Sequence, residues 1–232
     1  MVFRDLATAM DAEQPLYGVQ AAVLDGRASC PATISVEEVA AHFVSEIRNV
    51  QPLGPYRLGG HCLGGIIAFE VAQQLCDAGV EVELLAMIDT IVVESSPTHV
   101  VAPLGLRLEC HWRELSHRSL AGKLGYLVGK VKGHRGARET RRRARRAVAS
   151  IEDMARRYRP RPYPGRLTLF LARDSFLGRD PRRDPRLRWR GLAEKGTEVI
   201  LVAGDHESLL RPPFVGDLAM RLDHALAGPA AT

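Results

Sequence analysis

Apolar and polar positions along the chain follow two periodicities in turn. Apolar side chains at 36–50 recur every three to four residues, as in an amphipathic helix, and Ser35 with Glu38 fits a capping box at its start. Two further helices are predicted at 66–78 and 213–226, and a short one around Leu192. Short apolar runs predict strands at 15–20, 55–59, 81–88, 165–172 and 197–203.

This alternation of strands and helices is typical of βαβ units. It predicts a mostly parallel sheet with helices on both faces. Residues 91–160 interrupt the pattern, because they contain helical stretches and no clear strand. We therefore predict one α/β domain over residues 1–232 with an inserted helical subdomain at about 91–160. The length of 232 residues is usual for a single domain of this class.

Charge is distributed unevenly along the chain. The formal net charge is +5, yet residues 105–159 hold 16 Lys and Arg against 5 Asp and Glu, and the remainder holds 16 against 22. Residues 138–146 alone contain six arginines. A non-catalytic module that binds nucleic acid through this segment is one alternative, but no aromatic platform or groove-binding motif accompanies the arginines. We expect no nucleic-acid partner.

The cysteines and the apolar runs limit the environment of the protein. The four cysteines lack C-x-x-C spacing, which argues against a disulfide scaffold and against a zinc site, so we expect no bound metal and a cytoplasmic location. The longest apolar runs are far shorter than the ~20 residues of a membrane span. Charged residues interrupt the N-terminus, so we expect no secretory signal and no membrane partner.

A tight turn between a predicted strand and a predicted helix carries the first chemical signal. The segment Gly60-His61-Cys62-Leu63-Gly64 fits the nucleophile elbow G-x-S-x-G, with cysteine in place of serine. Such a turn tolerates almost no side chain at its glycines and exposes the nucleophile above the sheet. The Leu63 N–H at the helix N-terminus could stabilise an oxyanion, and the helix dipole favours a thiolate. The alternative is a glycine-rich turn with a buried cysteine.

A cysteine nucleophile needs a base and an orienting acid. Asp89 follows the strand at 81–88 and His206 follows the last strand, so both lie at the sheet edge that holds Cys62. Asp89 could instead cap a following helix, and Asp174, after the strand at 165–172, is a competing acid. In parallel α/β sheets that carry a nucleophile elbow, the catalytic residues usually follow the chain order nucleophile, acid, histidine.

Three separated segments resemble the thioesterase domains of nonribosomal peptide and polyketide synthases. They are residues 54–65 (GPYRLGGHCLGG) with Ala68-Phe69-Glu70, residues 85–90 (LAMIDT) and residues 204–210 (GDHESLL). The resemblance implies an α/β-hydrolase fold, a Cys62–His206–Asp89 triad, and a helical lid at 91–160. It also implies release of an acyl, peptidyl or polyketide chain, by hydrolysis or cyclisation, from the phosphopantetheine of a carrier protein, without another cofactor. A basic lid would suit docking of an acidic carrier protein.

Two features depart from that family. Cys62 stands where most members have serine, which implies a thioester acyl-enzyme able to react with amines as well as water. The family begins with a strand and a glycine-rich loop that supplies the second oxyanion amide, and this sequence starts after that point. We therefore expect an N-terminally truncated chain or a mis-assigned start. The nearest rival enzyme is a stand-alone esterase or lactonase with a cysteine nucleophile.

Overall fold

The computed structural model describes residues 3–11, 13–20, 34–91, 153–175 and 184–227. Most of the predicted lid, at residues 92–152, therefore lies outside the described residues, as does the arginine run at 138–146. Residues 153–157 are helical, and a 3-10 helix spans Pro185–Gly191. The main elements in chain order are α1 (Arg4–Ala9), α2 (Val36–Val50), β1 (Tyr56–His61), α3 (Leu63–Asp77), β2 (Val82–Ile88), β3 (Leu167–Ala172), β4 (Thr197–Val202) and α4 (Val215–Leu226).

The four strands form one parallel sheet in the order β1-β2-β3-β4. In its register, Gly60 lies opposite Met87, and Ile88 lies opposite Phe170. Because all strands run the same way, their carboxyl ends meet at one edge, where the chain enters the turns after residues 61, 88 and 202. The predicted parallel sheet is confirmed, and its topology brings three distant segments of sequence to one place.

Helices cover both faces of this sheet, as predicted. Alternate residues of β2 point to opposite sides, so that Leu85 and Met87 pack with α2 and α3, whereas Ala86 and Ile88 pack with α1 and α4. All six residues of β3 are buried. A strand covered on both faces cannot show an apolar–polar alternation, which explains the continuous apolar runs in the sequence.

Two local predictions at the N-terminal side have opposite outcomes. The capping box of α2 is confirmed, since Ser35 Oγ accepts from the Glu38 N–H at 3.1 Å and the Ser35 N–H donates to Glu38 Oε2 at 2.8 Å. The predicted strand at residues 15–20 is wrong. Its apolar side chains do not enter the core, because Leu16 is 47% and Tyr17 is 70% exposed, and the segment has no strand assignment.

Candidate active site

Cys62 lies at the turn between β1 and α3, at the carboxyl edge of the sheet. Its φ of 56° lies in the left-handed region that non-glycine residues rarely adopt, and only well-determined surroundings hold a residue there. One such constraint is visible, because the Cys62 N–H donates to the Ile88 carbonyl at 3.0 Å. Leu63 is the first residue of α3, where backbone N–H groups lack an intrahelical acceptor. The turn therefore presents a free thiol beside a helix N-terminus.

Glycine is required in this turn at Gly60 and Gly65, which corrects one expectation. A Cβ at Gly60 would lie 2.1 Å from the Gly64 carbonyl oxygen, and one at Gly65 would lie 1.9 Å from Thr90 Oγ1. Apart from the backbone of its own helix, a Cβ at Gly64 would meet no atom of the described residues within 4 Å. Among these residues the prediction that the elbow leaves no room at Gly64 is wrong, because the close contact is made instead by its neighbour Gly65, which faces Thr90.

Asp89 follows β2 and is fully buried. Its own N–H donates to the Phe170 carbonyl at 2.7 Å, its Oδ1 accepts from the Ala172 N–H at 3.0 Å, and its Oδ2 accepts from His206 Nδ1 at 2.7 Å. Burial raises the pKa of Asp89, but the His206 hydrogen bond and the positive charge of Arg186 outweigh burial and leave the pKa below its usual value. The carboxylate is thus held as an anion against the imidazole.

An arginine that sequence reasoning missed contacts the same carboxylate. Arg186, only 2% exposed, donates from Nη1 to Asp89 Oδ1 and to the Ala172 carbonyl. Its other side forms a two-point ion pair with Asp184, with Nε donating to Oδ1 at 2.9 Å and Nη2 to Oδ2 at 2.6 Å. The sequence offers only a weak signal here, an Asp-Pro pair typical of a helix start, among 28 arginines.

His206 lies in a loop whose conformation is fixed by short-range hydrogen bonds. Gly204 has a φ of 92°, and a Cβ there would meet Phe214 at 3.0 Å. Asp205 Oδ1 accepts from the Glu207 N–H, the Ser208 N–H and the Ser208 hydroxyl at 2.7–3.1 Å. These contacts hold the imidazole at the sheet edge between Asp89 and Cys62.

His206 has an unusually high affinity for a proton. Burial lowers its pKa, but hydrogen-bonding and electrostatic interactions with Asp89 and with the Cys62 side chain outweigh burial and raise the pKa of His206 to about 10. At neutral pH the imidazole is therefore protonated, with Nδ1–H donating to Asp89.

His61, the residue before Cys62, contacts His206 in two ways. The rings lie 4.6 Å apart between centroids, and His61 Nε2 lies 3.0 Å from the His206 carbonyl oxygen. Burial and the neighbouring His206 lower the pKa of His61 to about 4 against the opposing effect of Asp89. A neutral His61 with its proton on Nε2 donates to that carbonyl and holds the His206 loop in place.

The structure brings Cys62, Asp89 and His206 together, and the carboxylate that is hydrogen-bonded to His206 is that of Asp89, not that of the competing acid Asp174. Asp174 is exposed at the end of β3, and its backbone N–H donates to the Gly204 carbonyl at 3.0 Å. His42 lies on α2 and His224 on α4, away from this edge. Both carboxylate oxygens of Asp89 contact the groups described above, and the residues from 92 onward that it could cap lie outside the described residues.

The described ranges lack two kinds of feature. They contain no group of three or more His, Cys, Asp or Glu residues placed to hold a metal ion. No helix among them has the length and apolar character to cross a membrane.

Comparison with known proteins adds an independent line of evidence. The family described as the thioesterase domain matches residues 1–222. Malpibaldin synthetase of Mortierella alpina is 31% identical over 204 residues, and polyketide synthase PksR of Bacillus subtilis (strain 168) is 40% identical over 83 residues. These alignments cover 86% and 35% of the chain but only about 3% of each relative, so the chain spans a small part of their length. The crystal structure of the NocB thioesterase domain from the nocardicin cluster superimposes with a TM-score of 0.61 at 26% identity, covering 88% of this chain and 78% of that one.

Proposed function

Because the chain belongs to the thioesterase domain family, we propose that it releases an acyl chain from the phosphopantetheine thioester of a carrier protein through an acyl-enzyme on Cys62. Its parallel sheet with helices on both faces is the α/β-hydrolase fold of the similar thioesterase structures. The observation that carries the mechanism is the 2.7 Å hydrogen bond between His206 Nδ1 and Asp89 Oδ2, at the sheet edge where Cys62 also lies and where the Cys62 side chain helps to raise the pKa of His206.

The first half-reaction begins from a thiolate on Cys62 and a protonated His206. The thiolate sulfur attacks the thioester carbonyl carbon, and the N–H of Leu63 donates to the oxyanion that forms. As the intermediate collapses, the carbon–sulfur bond to phosphopantetheine breaks, and the leaving thiolate takes the proton from His206 Nε2. The products of this step are a free phosphopantetheine thiol, an acyl-Cys62 thioester and a neutral His206.

The second half-reaction needs His206 as a base, and acylation itself prepares it. Two of the interactions that raise the pKa of His206 are made with the Cys62 side chain. An acylated sulfur carries no charge, so His206 holds its proton less strongly at the stage where it must accept one. His206 then takes a proton from water, or from a hydroxyl or amine of the chain, and the attack expels the Cys62 thiolate with the released acid, lactone or amide.

Family membership and the relatives support a carrier-bound substrate. The proteins that contain the aligned segments are named a synthetase and a polyketide synthase, and each is many times longer than this chain. We propose an acyl or peptidyl carrier protein as the partner. Apart from phosphopantetheine on that carrier, the mechanism needs no cofactor.

Intact-mass spectrometry tests the acyl-enzyme directly. After mixing with an acyl N-acetylcysteamine thioester, the wild-type chain should gain the mass of the acyl group on Cys62, and Cys62→Ala should gain none. Cys76→Ala is the matched control, since Cys76 lies at the far end of α3. Turnover by Cys62→Ala at the wild-type rate would contradict the proposal.

Substrate comparison distinguishes the rival activity. A stand-alone esterase or lactonase would turn over simple esters and lactones at least as well as thioesters. Our proposal predicts a higher kcat/KM for acyl-phosphopantetheine on a carrier protein than for the corresponding ethyl ester.

A further inference from the structure

Asp89 belongs to a group of three buried charged side chains, together with Arg186 and Asp184. The side chains of Asp89, Asp184 and Arg186 are 0%, 4% and 2% exposed. Arg186 lies between the two carboxylates and donates to both, and the 3-10 helix that carries it lies against the end of β2. Removing three charges from water is costly unless each is well paired, so their position beside the site requires a reason.

The charge balance of this group points to that reason. Two carboxylates and one guanidinium leave one net negative charge, and Asp89 Oδ2 is the oxygen of the group that faces His206. Arg186 alone would cancel the charge of Asp89 and weaken its attraction for a protonated imidazole. Asp184 compensates Arg186, so Asp89 keeps its full effect on His206 while gaining a second point of attachment.

The geometry supports a positioning role as well. Asp89 Oδ1 accepts from the Ala172 N–H and from Arg186, which leaves Oδ2 for His206. The same 3-10 helix donates from Trp189 Nε1 to the Thr90 carbonyl at 3.1 Å. Two consecutive residues after β2 are thereby held from one side, and the carboxylate cannot turn away from the imidazole.

We propose that Arg186 is a positioning residue that fixes the orientation of Asp89, and that Asp184 is its counter-charge, which preserves the attraction of Asp89 for protonated His206. This inference rests on the proposed function, because it assigns a purpose to the acid of that mechanism. Among the described residues, Asp89, Cys62 and His61 face His206, and Asp89, Asp184 and the Ala172 carbonyl face Arg186.

Two variants separate orientation from charge. Asp184→Asn removes one negative charge while leaving Arg186 on Asp89, so the pKa of His206 should fall by about 1 unit. The double variant R186M/D184N removes one charge of each sign and keeps a side chain able to cap the 3-10 helix. It should leave the pKa of His206 near its wild-type value and lower kcat about 10- to 100-fold with an unchanged KM. The double variant avoids the unpaired buried Asp184 that Arg186→Met alone would create.

Arg190→Met is the matched control, since Arg190 is an exposed arginine on the same 3-10 helix. His206 is titrated by NMR of the isotope-labelled imidazole, kcat and KM are measured with an acyl N-acetylcysteamine thioester, and folding is checked by thermal unfolding. An unchanged His206 titration in folded Asp184→Asn, or a wild-type kcat in the folded double variant, would overturn the proposal. The NMR titration does not require turnover, so a wild-type chain without thioesterase activity would contradict the proposed function and leave this measurement valid.

Discussion

Replacing Gly65 by alanine tests the steric account of the turn around Cys62. The added Cβ would lie 1.9 Å from Thr90 Oγ1, 2.9 Å from Thr90 Cβ and 3.0 Å from the Gly60 carbonyl oxygen. Ordinary contacts between carbon atoms are about 3.5–4.0 Å. Thr90 is 1% exposed and its hydroxyl donates to the Ile88 carbonyl, so its side chain cannot move aside without breaking that bond.

Overpacking of this kind costs about 1–3 kcal/mol of unfolding free energy, and the lost hydrogen bond adds about 1 kcal/mol. The same substitution at Gly64, on the first turn of α3, meets no side chain of the residues that the structure describes. There alanine should be neutral or stabilise the helix by up to about 1 kcal/mol. The neighbouring glycines therefore have opposite predicted signs, although the elbow pattern singles out Gly64 rather than Gly65.

Urea unfolding of the two variants and of the wild type measures this difference. Gly65→Ala should lower the midpoint and reduce acylation of Cys62, whereas Gly64→Ala should keep or raise the midpoint. Equal destabilisation by the two substitutions would refute the steric argument, because it would mean that any side chain at the start of α3 is harmful.

Three other predictions follow from the charges and hydrogen bonds of the core. The pKa of His206 is raised in the folded state, so its contribution to stability is fully present below about pH 6.5 and is lost as the pH rises through about 10. The difference in unfolding free energy between wild type and His206→Gln should therefore shrink over that range. A constant difference would contradict the raised pKa of His206. Asp89→Asn should lower kcat roughly 10³-fold or more in steady-state assays with a small thioester, because the amide can present the wrong group to His206 Nδ1, and a loss under 10-fold would exclude Asp89 as the acid. Tyr158→Phe removes the hydroxyl that donates to the buried Glu70 carboxylate at 2.8 Å, so the unfolding free energy should fall by about 1–3 kcal/mol, while Tyr17→Phe at a 70% exposed position should leave it unchanged.

The sequence was most informative where local pattern and topology agree. The strand before Cys62, the glycine-rich turn at Cys62 and the apolar helix after it are each predicted by a separate sequence pattern. In a parallel sheet, Asp89 and His206 must then lie at the same edge as Cys62, because each follows the carboxyl end of a strand. The run at 15–20 has a strand-like pattern but packs against no core, and a local pattern does not contain that information.

Contacts made by side chains from distant segments could not be predicted in the same way. Arg186 is one of 28 arginines, and nothing in its neighbours distinguishes a buried ion pair from an exposed cation. The role of His61 depends on the His206 loop, which lies 145 positions further along the chain. The clash at Gly65 depends on Thr90, so an elbow pattern by itself assigns the steric limit to the wrong glycine.

The segments on either side of residues 92–152 are both held to the core by hydrogen bonds. Before them, Thr90 is 1% exposed and accepts from Trp189 Nε1. After them, Tyr158 donates to Glu70 on α3, and Gln73 Nε2 donates to the Arg161 and Pro162 carbonyls. These positions are suitable grafting points for exchanging the intervening segment between relatives, because the orientation of Asp89 is set by its own hydrogen bonds to Ala172, Arg186 and His206.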